Sequence, residues 1–316
     1  MPPEPFIPPE PIPSIPGSFP PTAAIPIAPP PWTLTAKAWI FLYTDVEPPT
    51  SGSQATAQNP NNNPDILQGI LPEGAYHPFE VIHPSGLEQL ANGSVPQFHR
   101  SWLKGVMILR YEETDVGPYD ELILIPGPAT NPVNEEKDMR ISSIYVSTDA
   151  SVWNGRRNWN IPKHRARFEF TPVANSNDLS LKVYHPEDAP APLNPHLPFF
   201  TAILKDSSLP KLPLPRLASF ALTQPPLCHP RYPDGVQDAV IATDDPENGR
   251  ENPWLSIKPS FHGKWGLAYA SRLEEGDGGE TLEWHGDGVG FPRVKLWPVG
   301  AVFEGEVGFG AANVVS

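Results

Sequence analysis

Proline occupies 45 of the 316 positions and recurs along the whole chain. Each proline fixes φ and removes a backbone donor, so long helices and uninterrupted central strands are excluded over most of the length. What remains is a series of short runs rich in aromatic and β-branched residues, bounded by turns. Such runs lie at Thr33–Thr44, Lys104–Glu112, Glu121–Pro126, Arg140–Ser147, Arg165–Thr171 and Leu179–Tyr184. Others follow at Phe199–Leu204, Val236–Thr243, Trp254–Lys258, Lys264–Ser271, Arg293–Leu296 and Ala301–Gly308. Gln54–Asp65 reads as a loop and Ser85–Ala91 as a short helix. Only Asp149–Arg157 has the pattern of a helix between strands, with Asp149 expected as its N-cap. The fold class expected is α+β, mainly antiparallel β, rather than a series of βαβ units.

Residues 1–31 form a proline-rich extension, and residues 32–316 form one domain. The extension carries Phe6, Ile7, Ile12, Phe19, Ile25 and Ile27, so part of it is expected to cover apolar surface on the body. It has no basic segment followed by a long apolar stretch, which argues against a signal peptide or a membrane helix. The glycosylation sequon Asn92-Gly93-Ser94 is therefore expected to be unused. A single cysteine, Cys228, excludes an internal disulfide framework and suits a reducing, cytoplasmic setting.

Hydrophobic residues make up 39% of the chain, and 24 glycines bring the apolar share to an ordinary globular value, enough for a sizeable core. The net charge of −14 repels phosphate backbones and anionic lipid, so nucleic acid and membrane surfaces are poor partners. Against that background, Gly155–Arg167 holds five Lys or Arg residues and no carboxylate. With 22 basic residues in the chain, thirteen positions should hold about one. Composition alone favours a solvated charge run. The functional alternative is a local positive field that draws in an anionic substrate.

The segment Gly155-Arg156-Arg157-Asn158-Trp159-Asn160-Ile161-Pro162-Lys163-His164, with the upstream Gly117-Pro118-Tyr119-Asp120-Glu121, resembles the two signature segments of the acetoacetate decarboxylase family. With Tyr145 aligned to the family's preceding strand, Gly155-Arg156 falls on its Gly-Arg pair and Pro162-Lys163 on its Pro-Lys pair, without a gap. Tyr119 and Glu121 fall on its Tyr-x-Glu. The resemblance is carried by residues 100 to 170; length and strand pattern extend it over residues 30 to 310, leaving the proline-rich tail outside. It implies a cone-like, partly closed β-barrel around a central cavity. It also implies a Schiff-base lysine at Lys163, a proton-handling carboxylate at Glu121, and pocket contacts from Tyr119, His164 and Arg156. No metal or organic cofactor is implied, because an iminium is itself the electron sink. The partner implied is a small-molecule keto acid or ketone, and the assembly a homo-oligomer whose contacts the N-terminal extension could block. A free lysine titrates near pH ~10.4, so an imine-forming lysine must be kept neutral by burial or a neighbouring cation.

Three departures from the family pattern bear on the reaction. His164 stands where the family has a second lysine, so desolvation rather than like-charge repulsion has to supply the activation. Tyr43 stands at the position of an early-strand arginine, and Arg110 or Arg156 is left to replace that charge. Strand alternation places Lys163, Arg165, Arg167 and Glu169 on one face, with His164, Ala166, Phe168 and Phe170 on the other. An inward lysine therefore requires a bulge after the proline or a polar inner face; otherwise it points to water. The expected function is a Schiff-base lyase acting on a β-keto acid or related ketone. The alternatives are an imine-dependent aldolase, dehydratase or cyclase, and a non-catalytic small-molecule-binding protein. The acidic run Glu283–Asp287 lacks a second histidine at zinc spacing and reads as a turn. Gly286-x-Gly288-x-Gly290 lacks the strand and helix of a nucleotide loop.

Overall fold

The computed structural model describes residues 25–45, 70–86, 98–99, 101, 103–187, 189–218, 220–228, 253–273 and 283–316. The strands of the first half are β1 (Trp32–Asp45), β2 (Gly105–Glu113), β3 (Tyr119–Ile125), β4 (Pro128–Thr130), β5 (Lys137–Met139) and β6 (Ser143–Val146). Helix α1 (Asp149–Trp159) leads into β7 (Lys163–Arg165), β8 (Arg167–Pro172), β9 (Leu179–Tyr184), β10 (Pro198–Asp206), β11 (Leu212–Ala218) and β12 (Leu222–Gln224). The chain ends with β13 (Leu255–Ile257), β14 (Ser260–Ser271), β15 (Val294–Leu296), β16 (Val299–Phe309) and β17 (Asn313–Val314).

Twelve strands form one sheet in the order β7-β6-β3-β2-β1-β16-β14-β10-β9-β8, with β11 added to β14 and β15 to β1. Its end strands, β7 and β8, are consecutive in sequence and separated by Ala166 alone. The sheet thus curls into a nearly closed barrel with an unsealed seam. A second, five-stranded sheet runs β17-β13-β12-β5-β4. Among the described residues no helix is long and apolar enough to cross a membrane.

Period-two alternation divides the buried side chains between the two faces of the large sheet. On β2, Met107, Leu109 and Tyr111 belong to one hydrophobic cluster, while Val106 and Ile108 belong to the other. On β3 the same split separates Ile123 and Ile125 from Leu122 and Leu124. The first cluster is completed by Trp153 and Trp159 of α1 and by Met139, Leu222 and Ile257 of the small sheet. The second draws instead on β8, β9, β10 and Phe291.

One parallel pairing in the large sheet positions the site. β7 runs parallel to β6, with Ile144 opposite Lys163 and Val146 opposite Arg165. A parallel neighbour requires a crossover, and α1 provides it. Its N-cap is Thr148 rather than the expected Asp149. Thr148 has extended backbone and its side chain accepts from Ser151 N, whereas Asp149 lies in the first turn and receives Arg165 Nε at 3.0 Å. The helix runs past Arg157 to Trp159, where Asn160 adopts φ 53° and its N–H closes onto the Arg156 and Gly155 carbonyls.

Other expectations differ in detail. Arg140–Ser147 is two strands, because the chain leaves the small sheet at Met139 and joins the large one at Ser143. Between them Arg140 is buried, its guanidinium over the rings of Phe98 and Trp254. Leu212–Ala218 is an additional strand; its prolines hide it in the sequence and are tolerated because, among the described residues, it pairs with β14 only. The described part of Ser85–Ala91 lies in a single 3-10 turn at Pro84–Gly86. Val236–Thr243, the Gln54–Asp65 loop, the Asn92 sequon and residues 1–24 lie outside the described residues. The described end of the extension packs on α1: Ala28 N donates to Asn154 Oδ1 at 2.8 Å, and Asn158 Nδ2 donates to the Ala28 carbonyl at 2.8 Å.

Candidate active site

The strand segment at Lys163 is three residues long, and its two faces have different fates. Lys163 and His164 are both about 4% exposed, yet they point into different environments. Lys163 enters a cavity on the side covered by α1 and the small sheet. His164 joins a buried polar cluster on the other side. The regular strand ends at Arg165. Ala166 donates its N–H to the Val146 carbonyl, and β8 begins afresh at Arg167. This break resolves the alternation problem: Arg165 pairs with Asp149, and Arg167 lies at the surface over Tyr184, so neither accompanies the lysine inward.

Lys163 Nζ donates to Glu121 Oε2 at 2.8 Å and to Ser151 Oγ at 2.9 Å. It also sits 5.1 Å from the centre of the Tyr119 ring. Tyr111 OH donates to the other Glu121 oxygen at 3.1 Å, and the Tyr111 and Tyr119 rings are 4.6 Å apart. These two tyrosines are paired residues of β2 and β3. Burial, reinforced by the Glu121 carboxylate, holds both phenols well above their ordinary pKa, so they remain proton donors. The surrounding cavity, counted together with the open solvent at its mouth, spans about 640 Å3. Its walls are apolar, with Trp32 and Trp159 set edge to face at 4.9 Å, and Phe261 and Phe309 from β14 and β16.

The helix is fitted to the lysine. Ser151, Gly155 and Trp159 recur at intervals of four and so share one face of α1. Ser151 holds the amine, Trp159 lines the cavity, and Gly155 leaves room for the lysine stem. A Cβ at position 155 would lie 2.5 Å from Lys163 Cδ.

On the other side of β7, Glu80 accepts from Arg156 Nη1 at 2.7 Å and Nη2 at 3.0 Å. His164 Nε2 lies 2.6 Å from the same Glu80 Oε2, so the proton on that nitrogen is directed at the carboxylate. Burial raises the Glu80 pKa, but the Arg156 charge and the His164 hydrogen bond outweigh it and set the value at about 2. His164 stacks on His77 at 3.7 Å, and His77 lies 6.1 Å from His185. Burial lowers all three histidines, His185 to about 3.

Of the expected pocket residues, Tyr119 lines the cavity beside Lys163 and Glu121. His164 does not, because it alternates with Lys163. Arg156 is fully buried and committed to Glu80. Tyr43 is an odd-numbered residue of β1 and joins Trp39 and Phe41 in the opposite cluster. Arg110 alternates with Leu109 and Tyr111, so it lies partly exposed over Phe170, paired with Asp120 at 3.0 Å. Three residues of the two networks were not foreseen. Ser151 was readable from its helical spacing to Gly155, and Tyr111 from cross-strand pairing with Tyr119. Glu80 had no local signal. In the Glu283–Asp287 run, Asp287 Oδ1 accepts from Val289, Gly290 and Phe291 N, which makes this segment a turn.

No protein-family profile matches the chain, and no curated protein sequence does. Among solved structures the chain is similar to an acetoacetate decarboxylase from Legionella pneumophila, at 13% identity and a TM-score of 0.48 over 95% of this chain and 93% of that one. It is also similar to an acetoacetate decarboxylase-like enzyme from Sphingomonas wittichii, at 13% identity and a TM-score of 0.44 over 93% and 96% of the two chains. A third similar structure is the enduracididine biosynthesis enzyme MppR complexed with pyruvate, at 11% identity and a TM-score of 0.43, over 93% of each chain.

Proposed function

We propose that this protein is a Schiff-base enzyme whose nucleophile is Lys163, a lyase-type catalyst acting on a keto acid or ketone. The observation that carries this reading is the placement of one amine in an apolar cavity, in contact with Glu121 and beside two protonated phenols. The free-base amine is the form that adds to a carbonyl, and Glu121 at 2.8 Å is placed to accept a proton from it and hand it on to the departing oxygen. The neutral amine adds to the carbonyl carbon. Water then departs with the carbonyl oxygen, and the resulting iminium accepts the electrons of a bond broken at the adjacent carbon. Glu121 receives or returns the proton at that carbon, while Tyr111 holds Glu121 and Ser151 orients the amine.

Exchange of α-protons in D2O, followed by NMR, tests the proposal, because iminium and enamine interconvert through that proton. The wild type is expected to deuterate the α-carbon of a ketone such as 2-hexanone, and Lys163→Met to do so no faster than buffer. Equal rates in the two proteins would exclude Lys163 as the nucleophile.

A further inference from the structure

We infer that the site takes a neutral, apolar carbonyl compound, an alkyl or aryl ketone or aldehyde, in preference to a keto acid; this rests on the imine reading above and narrows it. Among the described residues, Lys163 is the sole cation lining the cavity, and it is already in contact with Glu121. The two arginines expected to neutralise a substrate carboxylate are committed elsewhere. Arg156 is held by Glu80 behind the lysine strand, and Arg110 faces away from the cavity with Asp120. Glu121 adds a negative charge where the substrate must sit. A carboxylate entering here would lose its water, find no free positive partner among the described residues and meet a like charge. That combination lowers affinity by about 100-fold or more. The walls, in contrast, match an aryl or alkyl group, with Trp32, Trp159, Phe261 and Phe309 lining the cavity.

The chemistry follows from the substrate's charge. A neutral ketone carries no carboxylate to leave as carbon dioxide, so the bond broken next to the iminium is an α C–H. Its electron pair becomes the enamine double bond, and its proton passes to Glu121. The enamine returns by reprotonation or adds to a second carbonyl.

The test compares 2-hexanone and 4-phenylbutan-2-one with 4-oxopentanoate, which matches 2-hexanone in length but ends in a carboxylate. Cyanoborohydride trapping on Lys163 is measured for each, and calorimetry measures binding to Lys163→Met, where no imine forms. The two neutral ketones are expected to bind and to trap at least about 100-fold better than 4-oxopentanoate. Glu121→Gln is expected to narrow the gap in binding. Trapping of 4-oxopentanoate as fast as 2-hexanone would overturn the inference and leave the imine intact. Selective binding of the neutral ketones with no trapping at all would overturn the imine and keep the selectivity.

Discussion

Gly155 and Lys163 are in contact across the helix–strand junction, and a single methyl group at Gly155 would fall 2.5 Å from Lys163 Cδ and 2.6 Å from Cε. The Gly-Arg pair of the sequence thus divides its work between the two faces of β7. Glycine clears the path of the lysine stem, and Arg156 ties the helix to Glu80 beneath the same strand.

Gly155→Ala is expected to separate stability from activity. Alanine favours a helix interior over glycine by about 1 kcal/mol, and the group it strikes is a flexible stem that can swing aside. Thermal unfolding should therefore change by only a few degrees, whereas α-proton exchange should fall at least tenfold as the amine leaves Glu121 and Ser151. Calorimetry and NMR on the same preparation check both halves.

Glu80→Gln should act in the opposite sense. It leaves the fully buried Arg156 guanidinium without its carboxylate, a change that costs about 3–5 kcal/mol. Urea unfolding at pH 7 measures it. A loss below about 1 kcal/mol would show that the ion pair does not anchor the helix.

Stability should fall as the solution is acidified, beginning well above the range in which ordinary carboxylates titrate. A histidine whose folded pKa lies below its unfolded value of about 6.5 binds fewer protons when folded. Its contribution is therefore constant above pH 6.5 and is lost as the pH drops towards the folded value. Burial sets that value at about 3 for His185 and about 4 for His285, and lowers His77 and His164 as well. Each such histidine adds a slope of about 1.4 kcal/mol per pH unit in this window. Glu80 works in the same direction lower down: its depressed pKa gives stability that is present above its unfolded value and lost as the pH falls towards about 2. Urea midpoints of wild type and His185→Phe between pH 7 and 4 should converge in the acid. Parallel curves would mean that His185 is not held neutral.

Tyr111→Phe removes the hydroxyl that donates to Glu121 Oε1 and leaves the ring in the cavity wall. Exchange of α-protons should slow about tenfold or more, because Glu121 loses the partner that fixes its orientation. Trapping of the imine should be less affected, since the amine keeps Glu121 Oε2 and Ser151. Equal losses in both assays would place Tyr111 in binding rather than in proton transfer.

The mainly antiparallel body was legible in the runs between prolines, and the lysine segment in its local motif. Partner assignments failed where they depended on face. His164 was grouped with Lys163 and Glu121 from its place in the motif, Tyr43 from the position of an early-strand arginine and Arg110 as a replacement for that charge, whereas alternation along β7, β1 and β2 sends each of them to the other side of the sheet. The break at Ala166 was not readable, because it depends on a hydrogen bond to Val146 in another strand. Glu80 was beyond reach for the same reason, lying 76 residues from the arginine it binds. Strand β11 was concealed by Pro213 and Pro215, which only an edge position permits.

The most direct measurement is reductive trapping with 4-phenylbutan-2-one followed by peptide mapping. One adduct, on Lys163 and absent from Lys163→Met, is the expected result. Adducts spread over exposed lysines such as Lys205, with Lys163 unmodified, would contradict the assignment of this buried amine as the nucleophile.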